Sequence, residues 1–283
     1  MKFRGRVIEG QKLARTLGAP TANLSFSQRP KIKDGVWLVR VRFDGNEYGG
    51  ILHAGIRQTD KKWMIEIHIV EFSGELLDKI LEIETIEFVR ETMKFLALSS
   101  LKLQIQQDVI MARKFFIREK IRTHWDSLSA EERKNLSTSA VKQVAALPEF
   151  QSAKVVYAFA PDKYEIDFVQ ELCSVFPKKQ FAFPFVREWD MKFHVSQYED
   201  MTVGNFKILE PANDTPASSP DLILVPAVAA AITGERLGRG GGYYDEFLSK
   251  IDASTICVLP EWAVLKDVPF EARDERVGRV IGV

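Results

Sequence analysis

The spacing of apolar residues along the chain changes once, near residue 99, and that change divides it. Upstream, apolar and polar residues alternate. GVWLVRVRF and EYGGIL flank Asp44-Gly45-Asn46, a turn signal between two half-buried strands. WMIEIHIVEF and KILEIETIEFV repeat the alternation. Several short strands of this period predict a small barrel or sandwich. From Ser99 the apolar positions fall at Leu101, Ile105, Val109, Ile110, Ala112, Phe116 and Ile121, which is helical spacing, with Ser99 or Ser100 as N-cap. The pattern fits one helix or two abutting ones, with a stiff junction near Arg113.

Beyond this helix, Ser129 with Glu132 three residues on marks another helix start. AKVVYAFA then reads as a short buried strand. Helix-like and strand-like segments alternate from there: EIDFVQELCSVF, QFAFPFV, DLILVPAV, YYDEFLSKI and STICVLP. That order predicts an α/β domain with a mostly parallel sheet and flanking helices, whose ligands bind at the carboxyl ends of the strands. The expected organisation is therefore two domains, an all-β one over residues 1–112 and an α/β one over 113–283.

Composition narrows the partners. Lysine plus arginine equals aspartate plus glutamate, 39 each, so no field of one sign points to nucleic acid or to an anionic membrane. Small molecules bound by local charge are the expected partners. Only Cys173 and Cys257 occur, which suggests a reducing cytoplasm rather than a disulfide framework. No apolar run approaches the roughly 18 residues of a membrane span, and the N-terminus lacks the apolar stretch of a signal peptide. A cytoplasmic location is expected.

The densest chemistry lies in GERLGRGGGYYDEFL, residues 234–248. Five glycines stand within nine positions, interleaved with Arg236 and Arg239 and followed by Tyr243, Tyr244 and Asp245. Glycine lets backbone N–H groups approach an anion closely. Arginines add charge-assisted hydrogen bonds, and a carboxylate suits Mg²⁺. The strand-like run at 221–232 comes just before, so the segment reads as a phosphate site between a buried strand and a helix. No Gly-Lys-Ser/Thr follows, so it is not the common P-loop.

This run resembles the signature of the 5-formyltetrahydrofolate cyclo-ligases, and the resemblance extends from about Lys114 to the end. It implies that ATP phosphorylates the formyl oxygen of 5-formyltetrahydrofolate. The neighbouring amine nitrogen then closes the ring and phosphate leaves, giving 5,10-methenyltetrahydrofolate. It further implies that Lys114 and Arg118, four residues apart on one helix face, meet the ATP phosphates. Arg236, Gly238, Arg239, Gly240, Gly241, Gly242, Tyr243 and Tyr244 would cradle the phosphates, with Tyr243 also touching folate. Glu165 would accept hydrogen bonds from the pterin, and Asp245 and Asp274 would hold Mg²⁺. Phe183, Met191, Phe193 and Phe206 match further landmarks, with core packing the commoner role for any one of them. The sequence departs at Ala227, where glycine is usual, at Ala230-Ala231, where Phe-Asp is usual, and at the C-terminus.

The N-terminal half carries ARTLGAPTANLSF, residues 14–26. Together with Tyr48-Gly49-Gly50, Glu66-Ile67-His68, Arg90 and Asp108 it resembles the riboflavin kinases over roughly residues 7–113. That resemblance implies a Greek-key β-barrel with a C-terminal helix. It assigns Thr21 and Asn23 to Mg²⁺-ATP and Glu66 to the general base that takes the proton of the riboflavin 5′-hydroxyl, giving FMN. This chain lacks the glycines usual before the Pro-Thr-Ala-Asn run. It has His53 for a usual asparagine, Gln58 for a usual proline and Leu77-Asp78 for a usual Tyr-Gly. The sequence leaves open an active kinase, a non-catalytic flavin- or nucleotide-binding module and a structural barrel.

Overall fold

The computed structural model describes residues 1–9, 21–56, 61–188, 190–204 and 207–283. The chain forms two compact units, Met1–Phe116 and Ile117–Val283. In the first, six antiparallel strands close a barrel: β1 (Lys2–Ile8), β2 (Ala22–Ser25), β3 (Gly35–Phe43), β4 (Asn46–Ile56), β5 (Trp63–Ile69) and β6 (Ile80–Arg90). Their order around the barrel is β1-β2-β5-β4-β3-β6. Strand β2 lies beside β5 rather than β3, which is the Greek-key connection.

The alternation seen in the sequence supplies the barrel interior. Val39, Leu52, Ala54, Ile65, Ile67 and Leu81 are all fully or almost fully buried there. Phe43 pairs with Asn46 across the β3–β4 turn, and Asp44 and Gly45 both have positive φ, 49° and 77°. That is the type I′ geometry that matches the strand twist.

One 30-residue helix, α1 (Leu98–Ser127), follows. Its first part packs Ala112, Phe115 and Phe116 on Val36, Leu38 and Ile51 of the outer barrel face. A Cβ on Gly49 would lie 2.3 Å from the Phe116 ring, so that glycine is required by the close approach. Ser99 and Ser100 do not cap this helix, because the helix already begins at Leu98. The buried stripe starts later, and the exposed first turn places no apolar constraint on where the helix begins.

The second unit contains helices α2 (Ala130–Ala145), α3 (Pro148–Ser152), α4 (Val169–Val175) and α5 (Tyr243–Leu248). Its strands are β7 (Val155–Tyr157), β8 (Gln180–Arg187), β9 (Asp190–Val195), β10 (Met201–Val203), β11 (Leu209–Pro211), β12 (Leu222–Leu224), β13 (Ala229–Ala231), β14 (Arg236–Leu237), β15 (Ser254–Leu259), β16 (Val264–Leu265) and β17 (Arg279–Gly282). The main sheet runs β17-β15-β12-β7-β8-β9, parallel throughout except for the β8–β9 hairpin. Phe150, Phe168, Leu172, Phe183, Leu222 and Ile223 are fully buried around it.

Ser129 and Glu132 form the expected capping box of α2, with the Glu132 N–H donating to Ser129 Oγ at 3.2 Å and the Ser129 N–H to Glu132 Oε2 at 2.8 Å. Two expectations change. The run at 221–232 is not one strand: β12 ends at Leu224, and β13 and β14 form a separate hairpin in a small sheet with β16. The glycine run therefore follows β14, not the carboxyl end of the main-sheet strand. The helix-like segment at 165–176 is helical only from Val169, because residues 162–165 close a turn on their own hydrogen bonds. No helix among the described residues is long and apolar enough to cross a membrane.

Ile67 is 1% exposed and Ile80, in the same barrel, is 54% exposed. Ile67→Ala should therefore cost about 2–5 kcal/mol in urea unfolding, and Ile80→Ala less than about 0.5 kcal/mol.

Candidate active sites

In the second unit a buried carboxylate organises the site. Glu165 sits in the turn after β7, with its side chain 6% exposed. Its Oε2 accepts hydrogen bonds from the Asp162 N–H at 3.0 Å and from Arg239 Nη2 at 2.6 Å. The same Arg239 nitrogen lies 2.9 Å from Asp162 Oδ2. Burial pushes the Glu165 carboxyl up to about 7; Asp162 adds to the rise and Arg239 opposes it. Desolvation disfavours the ionised form by more than the cation recovers.

The glycine run frames this pair. Arg118, on α1, donates from Nε to the Gly238 carbonyl at 2.9 Å, and its guanidinium passes beside Gly240. Burial lowers the Arg118 pKa, with Arg122 adding and Asp274 opposing. Gly240 has φ 107° and Gly242 φ 74°, conformations in which side chains are strained. Gly242 is the N-cap of α5. Gly241 stands against the Tyr243 ring, where a Cβ would come within 2.9 Å. Lys114 lies one helical turn before Arg118 on α1.

Arg236 occupies a deeper position than expected for a loop cation. Its side chain is 2% exposed, and Nη2 donates to Asp245 Oδ1 at 2.8 Å. Asp245 Oδ1 also accepts the Glu275 N–H at 3.0 Å. Asp274, the neighbour of Glu275, accepts the Glu271 N–H through Oδ2 at 3.0 Å. One short turn thus joins both candidate metal-binding carboxylates. Among the described residues both of these Asp245 bonds fall on Oδ1, and its carboxylate is a hard oxygen donor of the kind that suits Mg²⁺. Among the same residues no group of three or more His, Cys, Asp or Glu side chains could hold a metal alone. A cation here would complete its shell with phosphate oxygens and water.

Near this site two buried polar atoms, Arg236 Nε and the Tyr244 hydroxyl, have no partner among the described residues. Burial and Glu165 push the Tyr244 phenol well above its ordinary range. Behind Tyr244, Phe193 stacks on Tyr157 at 4.2 Å and approaches Phe247 at 4.9 Å. Phe183, Met191 and Phe193 all belong to the core, and Phe206 lies outside the described residues. Sequence reasoning missed Asp162. Its signal is the Pro161-Asp162 turn start three residues before Glu165, where Asp162 Oδ1 accepts the Tyr164 N–H at 2.7 Å.

In the first unit, strand register assembles the second set. Glu66 on β5 is the cross-strand partner of Asn23 on β2 and of His53 on β4. Cross-strand partners share a face of the sheet. Ile65 and Ile67 turn into the barrel, so this row lies on its outer face. Asn23 is 5% exposed despite that position. His53 is held below its ordinary pKa, first by burial and then by Arg90, with Asp34 and Asp108 opposing. Arg90 makes a two-point ion pair with Asp108, at 3.1 and 2.6 Å, and Gln104 donates to the same carboxylate at 2.9 Å. Thr21 immediately precedes β2. The Pro20 end of its motif, the glycine-poor loop before it and Gln58 lie outside the described residues.

Comparison with known proteins places both halves. Residues 110–283 match the 5-formyltetrahydrofolate cyclo-ligase family, and residues 1–116 match riboflavin kinase. A bifunctional riboflavin kinase/FMN adenylyltransferase of Pseudomonas fluorescens is 41% identical over 115 residues, and one of Escherichia coli K12 is 31% identical over 115 residues. Each match takes 40% of this chain and 37% of the relative, so the chain spans just over a third of the length of these proteins. The solution structure of 5,10-methenyltetrahydrofolate synthetase from Aquifex aeolicus is 30% identical, with a TM-score of 0.55, over 60% of this chain and 89% of that one. With a family match over more than half its length, the chain belongs to the 5-formyltetrahydrofolate cyclo-ligase family and carries a riboflavin kinase domain fused ahead of it.

Proposed function

We propose that the C-terminal domain cyclises 5-formyltetrahydrofolate to 5,10-methenyltetrahydrofolate using ATP and Mg²⁺. The observation that carries this reading is the meeting of Arg239, Glu165 and the glycine run in one place. The reaction needs a phosphate cradle beside a group that reads the pterin. Arg239, Arg118 and the N–H groups of Gly240 to Tyr243 serve the phosphates. Glu165 accepts the pterin N–H donors, and Tyr244 has a buried hydroxyl free to orient substrate. Asp245 and Asp274 would hold Mg²⁺, which neutralises phosphate charge. Arg236 braces Asp245 from below.

We also propose that the N-terminal domain phosphorylates riboflavin to FMN. Thr21 and Asn23 would hold Mg²⁺-ATP, and Glu66 would take the proton of the 5′-hydroxyl as that oxygen attacks the γ-phosphate. The register that sets Asn23 beside Glu66 supports this. The substrates of the whole protein are then 5-formyltetrahydrofolate, ATP and riboflavin, a set that suits the cytoplasm.

Four substitutions test these assignments. Arg239→Ala should lower kcat for methenyltetrahydrofolate formation by about 100-fold or more. Asp245→Asn, which keeps an oxygen opposite Arg236, should raise the Mg²⁺ requirement by about 10–100-fold; unchanged kinetics in both would remove these residues from the site. Glu165 accepts pterin N–H donors through both of its oxygens only when ionised, and burial pushes its carboxyl up to about 7 in the free protein. For the folate, kcat/KM should therefore rise as pH increases through about 7, and the Glu165→Gln profile should lose that step. Glu66→Gln should reduce FMN formation by about 10²–10⁴-fold. Flavin binding by the wild-type chain without FMN formation would mark the barrel as a binding module.

A further inference from the structure

The two subsites of the cyclo-ligase domain satisfy each other. Arg239, assigned above to phosphate, spends one nitrogen on both Glu165, at 2.6 Å, and Asp162, at 2.9 Å. Glu165, assigned above to the pterin, has its Oε2 taken by that same nitrogen. The Asp162 turn fixes the arrangement, since its backbone N–H binds Glu165 and its Oδ1 is held by the Tyr164 N–H. Asp162 and Arg239 are about one-third exposed, whereas Glu165 is buried. The phosphate-binding cation is thus held by the carboxylate that must be released to the pterin.

From this arrangement we propose that Asp162 is a positioning residue which, with Glu165, holds Arg239 as a latch, and that opening the latch couples nucleotide and folate binding positively. The proposal rests on the functional reading above. If nucleotide binds alone and draws Arg239 away, Glu165 remains buried with only the Asp162 N–H as partner. Leaving a buried carboxylate without its cation is costly. If folate binds alone, its N–H donors must displace the single Arg239 nitrogen that Glu165 and Asp162 share, so both contacts are lost. When both bind, Arg239 meets phosphate and Glu165 meets the pterin, so the latch is broken once for two ligands. Each ligand then tightens the other by the same factor. The groups around Glu165 that set this balance are Arg239, Asp162 and Tyr244, and Tyr244 in turn feels Arg236 and Arg239.

Asp162→Asn removes the charge that helps hold Arg239. Asp162→Ser does so while keeping an oxygen for the Tyr164 N–H, and serves if the asparagine variant is unstable. The test is titration calorimetry of 5-formyltetrahydrofolate into the full chain, with and without saturating Mg²⁺ and the non-hydrolysable ATP analogue AMP-PNP. The wild type should bind folate at least roughly fivefold more tightly with nucleotide present. In the Asp162 variants folate alone should bind more tightly than to the wild type, and the ratio should shrink toward one. Folate binding that is indifferent to nucleotide in the wild type, or a ratio that Asp162→Asn and Asp162→Ser leave unchanged, overturns the latch while leaving the folate site in place. No folate binding under either condition overturns the site assignment itself.

Discussion

The C-terminal site depends on one buried carboxylate and the guanidinium that reaches it. Glu165 could not remain ionised so far from water without Arg239. Even with it, the carboxyl stays near neutrality rather than in the ordinary acidic range. The bond spans 74 residues of sequence, from the turn after β7 to the loop after β14, so the geometry of both elements must be met at once. That requirement accounts for features that look unrelated. Gly240 and Gly242 adopt φ values that let the loop fold back. Arg118 ties the loop at Gly238. Arg236, three residues before Arg239, is fixed underneath by Asp245.

The two arginines of the glycine run therefore have different surroundings, although the sequence presents them as equivalent. Arg239 is about one-third exposed and shared between carboxylates that a ligand can replace. Arg236 is almost fully buried and paired with a carboxylate anchored by the Glu271–Glu275 turn. A cation with an exposed face can exchange partners during a catalytic cycle. A buried one holds its partner in position.

The barrel, the Asp44-Gly45 hairpin, the Ser129 capping box and the parallel sheet were readable because each rests on contacts within a few residues or on a regular period. The glycine run stood out for its residue types, and Glu66 only through the resemblance to the riboflavin kinases. Other features were hidden for physical reasons. Strands β12, β13 and β14 have three, three and two residues, too few for a period to separate them, so an apolar run looked like one strand. Nothing local marks where an exposed helix turn begins, so the start of α1 was misplaced. The bond of Asp162 to Arg239 crosses 77 residues, and only the fold brings them together. In the barrel, the Asn23–Glu66–His53 row is a consequence of strand register. His53 stood out in the sequence as an unusual residue, and the register shows that it lies beside the residue proposed as base.

The central claim is that the C-terminal domain activates the formyl oxygen by phosphorylation before the ring closes. The most direct measurement uses 5-formyltetrahydrofolate carrying ¹⁸O in the formyl group, Mg²⁺-ATP and the full chain, with mass analysis of the phosphate released. The account predicts one ¹⁸O atom in each inorganic phosphate formed with methenyltetrahydrofolate. Unlabelled phosphate accompanying the same product would contradict it.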